Sequence, residues 1–181
     1  MKFSAIAEVF DKLESTASRL EMTSILAEFF KTLEPEDIKP IIYLTQGKIA
    51  PDFAGVELGM ADRLVAKAIA FTVGETESSI SEMMIKLGDP GTVAEKLIAD
   101  KKQMTLFSET LTLGGVISSL TAIAQTEGRD SQGRKMKYLS NMLHDSDPVE
   151  ARYLCRIVTG RMRTGVAAMT VLDALALSFA D

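Results

Sequence analysis

The chain has 181 residues, of which 46% are hydrophobic, and a formal net charge of −5 at pH 7. This length supports one domain whose core needs neither disulfides nor metals, and the hydrophobic content excludes a disordered chain. A disulfide framework is excluded by the single cysteine, Cys155. No apolar run approaches the roughly 20 residues of a membrane span, and the first residues lack a signal-peptide pattern. We therefore expect a soluble intracellular protein of the cytoplasm or nucleoid, without a membrane partner.

Apolar residues recur at helical spacing through the first half of the chain. Ile6, Val9, Phe10 and Leu13 share one face of a predicted first helix. A second helix is predicted over residues 20–33 and a third from Pro35 to about residue 45. An irregular, glycine-containing stretch at 46–59 precedes helices predicted over 61–73, 76–88 and 91–102.

The second half continues the helical pattern. Thr112 is a candidate N-cap for a helix that ends at Gly128, and a further helix is predicted over 131–143. Asp147-Pro148 predicts the start of a helix that runs to residue 159 and stops at Gly160. A last helix is predicted over 165–179. No strand pattern is present, so the sequence predicts an all-α fold of about nine or more helices.

Basic residues are concentrated in one part of this acidic chain. Residues 129–163 contain eight Lys or Arg and four Asp or Glu, whereas the first 128 residues contain twelve and nineteen. Binding to a polyanion requires a local basic face and not a basic whole, so this segment is the candidate nucleic-acid surface.

No motif of the sequence predicts a catalytic or metal site. The single histidine, His144, precedes Asp145 near a predicted helix end, where a cation suits the helix dipole. Neither a phosphate-binding loop of the GxxxxGK[ST] type nor a Cys/His cluster occurs.

The strongest candidate for binding is the segment 160–165, in which Gly160 and Gly165 bracket Arg161 and Arg163. Glycines permit close backbone approach, a following helix offers free amides, and arginines bind phosphate with two donors at once. The alternative is a helix-ending glycine followed by solvated arginines.

Two weaker candidates resemble this one in chemistry. Ser131, Arg134 and Lys135 lie at a predicted helix start, where cations are unfavourable unless an anion binds. Arg19 follows Ser18 before the second helix, which taken alone indicates a cap and a surface charge.

In this order and spacing, several short motifs resemble the N-terminal DNA-binding domain of archaeal and eukaryotic ATP-dependent DNA ligases. They are Tyr43-Leu44 with Gly47 and Pro51, Glu57-Leu58-Gly59, Gly88-Asp89 with Gly91 and Glu95, Ser131-Gln132, Glu150-Ala151-Arg152-Tyr153-Leu154, and Gly160-Arg161-Met162-Arg163-Thr164-Gly165. The resemblance covers nearly the whole chain. It implies one helical domain over residues 1–181, built as two pseudo-symmetric lobes, that grips nicked duplex DNA across the minor groove.

The resemblance also implies which residues face DNA. The segment 160–165 and Ala167 match backbone-contacting positions of the family. The positions of Ser131, Arg134, Lys135 and Arg19 match phosphate-facing ones. The alternative function is a helical protein-interaction scaffold without DNA binding, which the acidic first half would suit.

The family's catalytic lysine lies in a K-x-D-G motif, and no lysine of this chain is followed by x-Asp-Gly. The adenylation and OB-fold domains are therefore expected beyond residue 181. ATP and Mg²⁺ would serve those domains, and the chain alone is predicted to be inactive as a ligase.

A segment between the predicted lobes, with Gln103, Leu106 and Phe107, is similar to the Gln-x-x-apolar-aromatic peptide with which archaeal ligases bind the sliding clamp (PCNA). The family peptide often ends in two aromatic residues, whereas this one ends in Leu-Phe. The alternative is that Leu106 and Phe107 fold into the core between the lobes.

Overall fold

The computed structural model describes residues 1–101 and 108–180. Within these residues the fold is all-α, as predicted. It has ten α-helices and one short 3-10 helix, Asp52–Ala54. The α-helices are α1 (Phe3–Glu14), α2 (Arg19–Phe30), α3 (Pro35–Thr45), α4 (Asp62–Val73), α5 (Glu77–Leu87), α6 (Pro90–Asp100), α7 (Leu113–Gln125), α8 (Ser131–Asp145), α9 (Pro148–Thr159) and α10 (Ala168–Phe179).

Local capping chemistry explains where several helices begin or end. The Thr76 hydroxyl accepts a hydrogen bond from the amide of Ser79 at the start of α5. Asp147 and Glu150 form a reciprocal capping box at the start of α9. Gly160 ends α9 with a φ of 67°, a left-handed conformation that a glycine adopts without steric cost. These signals act within a few residues, so the sequence predicts them well.

Three predicted helices differ from the structure by one to a few residues at one or both ends. Helix α2 ends at Phe30 and not near residue 33. Proline disfavours the helical conformation in the residue before it, and Glu34, which precedes Pro35, is extended, so the chain leaves the helix before that residue. Helix α6 begins at Pro90, capped by Asp89, and ends at Asp100. Helix α7 ends at Gln125, short of the glycine expected to stop it.

Helix α9 lies at the centre of the core. Its residues Tyr153, Leu154, Cys155 and Ile157 are fully buried, and the helix packs against α1, α6 and α8. Cys155 is therefore a small core residue, as expected, and burial raises the pKa of its thiol. The ring of Tyr153 makes an edge contact with Phe10 of α1, with centroids 5.4 Å apart. Because α9 leads directly into the segment 160–167, the best-packed helix of the domain positions the candidate binding turn.

Helices α6 and α9, which pack on each other, begin alike with an Asp N-cap followed by Pro. The approach is close: a Cβ on Gly91 of α6 would lie 2.6 Å from the carbonyl oxygen of Arg152. The division into two pseudo-symmetric lobes stays a prediction.

Candidate nucleic-acid interface

In the turn between α9 and α10, two exposed arginines alternate with two buried residues. Met162 and Thr164 are only 6% and 4% exposed, whereas the side chains of Arg161 and Arg163 are each 47% exposed. The amide of Arg161 donates to the carbonyl of Arg156 at 2.9 Å, which closes the end of α9. The alternation of buried and exposed residues thus fixes the direction of both guanidinium groups.

Two further features hold this turn in place. Gly47 lies against it so closely that a Cβ there would be 3.2 Å from the Cα of Gly160. Arg163 has a φ of 60°, which is unusual for a residue with a side chain. Its guanidinium donates to the carbonyl of Gly88 at 2.6 Å, at the corner between α5 and α6. The turn therefore contacts both the 46–59 loop and the corner between α5 and α6.

The prediction that the last helix begins at Gly165 is wrong, because α10 begins at Ala168 with Ala167 as N-cap. Gly165 has a φ of 70°, a conformation that cannot continue into an α-helix. The alanine N-cap has no side-chain oxygen to accept from the first amides of α10. The amides suited to phosphate are therefore those of Ala168 and its neighbour, three residues later than expected.

The arginines predicted to bind phosphate each donate to an acceptor within the domain. Arg161 forms an ion pair with Asp62 in the first turn of α4. Arg19 pairs with Asp173 of α10 at 2.7 Å. Gly165 also links the turn to α2, because a Cβ there would be 3.3 Å from the Cε of Met22. Arg19 is therefore one helical turn away from a residue that touches the binding turn.

The second predicted segment, with Ser131, Arg134 and Lys135, forms the first turn of α8 as expected. The guanidinium of Arg134 donates to the carbonyl of Glu127 at 2.8 Å, in the chain that precedes the helix. Ser131 and Lys135 line a cleft whose other wall is the start of α4.

Helix α4 brings the two predicted segments together. Its first turn holds Asp62 against Arg161, and its exposed face places Arg63 and Lys67 in the cleft that Lys135 lines. Both α4 cations contact Glu77, with distances of 3.1 Å for Arg63 and 4.0 Å for Lys67. Neither residue was predicted from the sequence. Their signal was a pair of cations four residues apart directly after the 46–59 loop.

Two arginines of the basic segment are not part of this surface. The charge count of residues 129–163 therefore overestimated the number of cations available for binding. Side-chain exposure is 15% for Arg152 and 3% for Arg156. Arg156 contacts Glu14 at 2.6 Å and Asp89 at 2.7 Å, and Arg152 contacts Glu95 at 2.6 Å. Both guanidinium groups also lie over the ring of Tyr153, about 5 Å from its centroid. They are buried because α9 is surrounded by other helices.

Two carboxylates of this network, Glu14 and Asp89, have lowered pKa values. Burial alone would raise both, but the hydrogen bonds and positive charge of Arg156, together with further hydrogen bonds from Tyr153 to Glu14 and from Thr92 and Gly91 to Asp89, outweigh it, so both pKa values lie below their usual range. Asp89 also accepts from the amides of Gly91 and Thr92 at the start of α6. The network therefore fixes the α5–α6 corner, whose Gly88 carbonyl holds Arg163.

Other classes of site find little support in the described part of the chain. Residues 1–101 and 108–180 contain no group of three or more His, Cys, Asp or Glu side chains that could hold a metal. His144 lies in the last turn of α8. Over the same residues, the helices are too short or too polar for any of them to cross a bilayer. The predicted clamp-binding residues Gln103, Leu106 and Phe107 lie outside the described residues.

The known proteins that this chain resembles are DNA ligases. The model described as DNA ligase N terminus matches residues 2–176. A DNA ligase of Nitrosopumilus maritimus is 45% identical over 179 residues, which are 99% of this chain and 30% of that protein. DNA ligases of Thermoplasma volcanium and Saccharolobus solfataricus are each 38% identical, over 100% and 99% of this chain and 31% of their own lengths. The chain thus spans about 30% of the length of the relatives it matches.

Proposed function

This chain belongs to the family of DNA ligase N-terminal regions, and we propose that it is the DNA-binding domain of an ATP-dependent DNA ligase. In this proposal it grips nicked duplex DNA through backbone phosphates along the minor groove, in replication and repair. It forms one domain over residues 1–181 and does no chemistry itself.

The observation that carries the proposal is the meeting of two separate predicted segments on α4. Arg161 and Lys135 are 26 residues apart in sequence, yet both lie against the first two turns of that helix. With Arg63 and Lys67 they bring four cations to one face, where Asp62 and Glu77 are the paired carboxylates. A surface of this kind suits a polyanion, even though the whole chain is acidic.

The contacts proposed for this surface are phosphate contacts. Arg161 and Arg163 would bind one strand from the turn, together with the first amides of α10 after Ala167. Lys135 and Ser131 would bind the backbone from the start of α8. Arg19, at the start of α2, extends the surface beyond the turn. Such contacts give affinity without base specificity.

The joining reaction is proposed to belong to parts of the ligase outside this chain. The chain has no K-x-D-G lysine to accept an adenylate, and its described residues offer no metal cluster. ATP and Mg²⁺ would serve the adenylation and OB-fold domains. Incubation with labelled ATP and Mg²⁺ should leave no covalent adenylate on this chain; a labelled chain would contradict the division of labour.

The proposal is tested by titrating a fluorescent nicked duplex at several salt concentrations. The unmodified chain should bind with strong salt dependence. Replacing Arg161 and Arg163 by Ala should flatten the slope of log K against log salt by about 2, on roughly 0.9 per lost phosphate contact. The matched control replaces Lys31 and Lys39, exposed cations at the α2–α3 corner, and should leave the slope nearly unchanged.

Two outcomes would contradict the proposal. Equal slopes for the arginine and lysine variants would remove the turn from the interface. Absence of any salt-dependent binding would favour the alternative, a helical scaffold that binds only proteins. Far-ultraviolet circular dichroism of each variant controls for loss of helical structure.

Binding to a sliding clamp is a separate proposal that rests on Gln103, Leu106 and Phe107. Replacing Leu106 and Phe107 by Ala should abolish clamp binding and leave the melting temperature unchanged. A core location would instead cost about 2–5 kcal/mol for each truncation. A large fall in melting temperature, together with no clamp binding by the unmodified chain, would refute the docking role.

A further inference from the structure

Two arginines of the proposed DNA surface are held by exposed carboxylates. Arg161 pairs with Asp62, and their side chains are 47% and 52% exposed. Arg19 pairs with Asp173, with side-chain exposures of 62% and 45%. The two acids lie on different helices, α4 and α10. An exposed arginine–carboxylate pair therefore occurs at two separate places of the proposed DNA surface.

A carboxylate and a DNA phosphate offer an arginine the same kind of acceptor, a pair of anionic oxygens. Only one of them can take the same donors of a guanidinium at one time. Exposed ion pairs are weak, because water screens them and the side chains lose freedom. Duplex DNA has a dense line of charges and releases counterions on binding, so it can displace such a partner.

Arg163, the other arginine of the turn, is different. The carboxylate nearest to Arg163 is that of Asp89, 3.9 Å away, and its side chain is only 4% exposed. Asp89 is already held by Arg156 and by the first amides of α6. Asp89 is therefore fixed in the core, and among Arg19, Arg161 and Arg163 the competition applies to Arg161 with Asp62 and to Arg19 with Asp173.

Resting on the function proposed above, we propose that Asp62 and Asp173 compete with DNA phosphate for Arg161 and Arg19. In the free domain they hold the two arginines; on the duplex they are displaced. Each of the two carboxylates therefore lowers the affinity for DNA and makes its release easier. A DNA-binding domain of a ligase must release the duplex once the nick is sealed.

The test is Asp62→Asn, measured with the fluorescent nicked duplex at fixed salt. The matched control is Asp52→Asn, which makes the same charge change on the neighbouring loop, where the side chain is 82% exposed and pairs with Lys48 instead. The Asp62 variant should bind about two- to fivefold tighter than the Asp52 variant, the range that an exposed pair contributes. In an Arg161→Ala background this advantage should vanish.

Equal affinity of the two variants would overturn the inference. Weaker binding by the Asp62 variant would also overturn it, because Asp62 would then position Arg161 for phosphate. Since Asp62 lies in the first turn of α4 and favours that helix end, thermal melting is measured alongside. Should that variant unfold, Asp173→Asn with and without Arg19→Ala repeats the comparison. Absence of DNA binding by the unmodified chain would overturn the proposed function itself, whereas binding without the gain overturns the competition alone.

Discussion

Replacing Arg156 by Met removes the cation at the centre of the buried network and leaves a shorter, unbranched apolar side chain in its place. Asp89 and Glu14, which contact Arg156 at 2.7 and 2.6 Å, would then lose a charged partner. Removing one member of a buried pair costs about 3–5 kcal/mol. In a domain of this size each kcal/mol lowers the melting temperature by roughly 2–4 °C, so the fall should be on the order of 10 °C.

The loss should depend on pH in a defined direction. In the unmodified domain the pKa values of Asp89 and Glu14 lie below their unfolded values of 3.8 and 4.5. Their stabilisation is therefore complete above the unfolded pKa and is lost as pH falls through the folded pKa. Without Arg156, Asp89 is left buried and charged at neutral pH, and Glu14 keeps only Arg152 at 3.2 Å and the Tyr153 hydroxyl at 2.7 Å. The deficit of the variant should be largest near pH 7 and should shrink below about pH 4, as protonation discharges them.

The assay is urea unfolding followed by circular dichroism at pH 7 and at acidic pH. The control is Arg134→Met on α8, where the lost contact is an exposed hydrogen bond to a carbonyl, so stability should change by less than about 0.5 kcal/mol. A loss below about 1 kcal/mol for Arg156→Met, or one that does not change with pH, would refute the structural role assigned to this arginine.

Substitutions at three further positions test individual features of the fold. Burial raises the pKa of Glu150 from 4.5 to about 7, so its contribution to stability is complete below pH 4.5 and is lost as pH rises to about 7. The Glu150→Gln variant should not show that loss. In urea unfolding at pH 8 it should be more stable than the unmodified chain by about 1–3 kcal/mol. Arg163→Gly should be about 1 kcal/mol more stable than Arg163→Ala, because only glycine adopts the left-handed backbone conformation of this position without strain. Both variants should bind DNA more weakly. Equal stability of the two variants would argue against backbone strain at this position. Gly91→Ala should cost about 1–3 kcal/mol, because its Cβ would meet the backbone of α9, and a neutral result would contradict the close packing of α6 on α9.

The sequence predicted those parts of the fold that depend on local chemistry. Thr76, Asp147 and Gly160 begin or end helices through contacts within a few residues, and each appears where expected. The start of α10 was missed because it depends on the conformation of Gly165. That glycine packs against Met22 of a distant helix, a contact that no local pattern reveals.

The candidate site was predicted less completely, since its residues meet only through tertiary packing. Arg152 and Arg156 were counted with the basic surface, although α9 buries side chains on every face. Apolar residues on all sides of a helix indicate a central position, and this pattern could have assigned both arginines to the core. Arg63 and Lys67 could not be found in this way, because their proximity to Lys135 comes from the packing of α4 on α8.

The central claim is that three separated segments form one DNA-binding surface. The most direct test is titration of the isotope-labelled chain with a nicked duplex, followed through backbone amide resonances. The amides of residues 160–169, 61–67 and 131–135 should shift together at one protein-to-DNA ratio, and those of α3 should stay in place. Shifts confined to other helices, or shifts in one of the three segments alone, would contradict the claim.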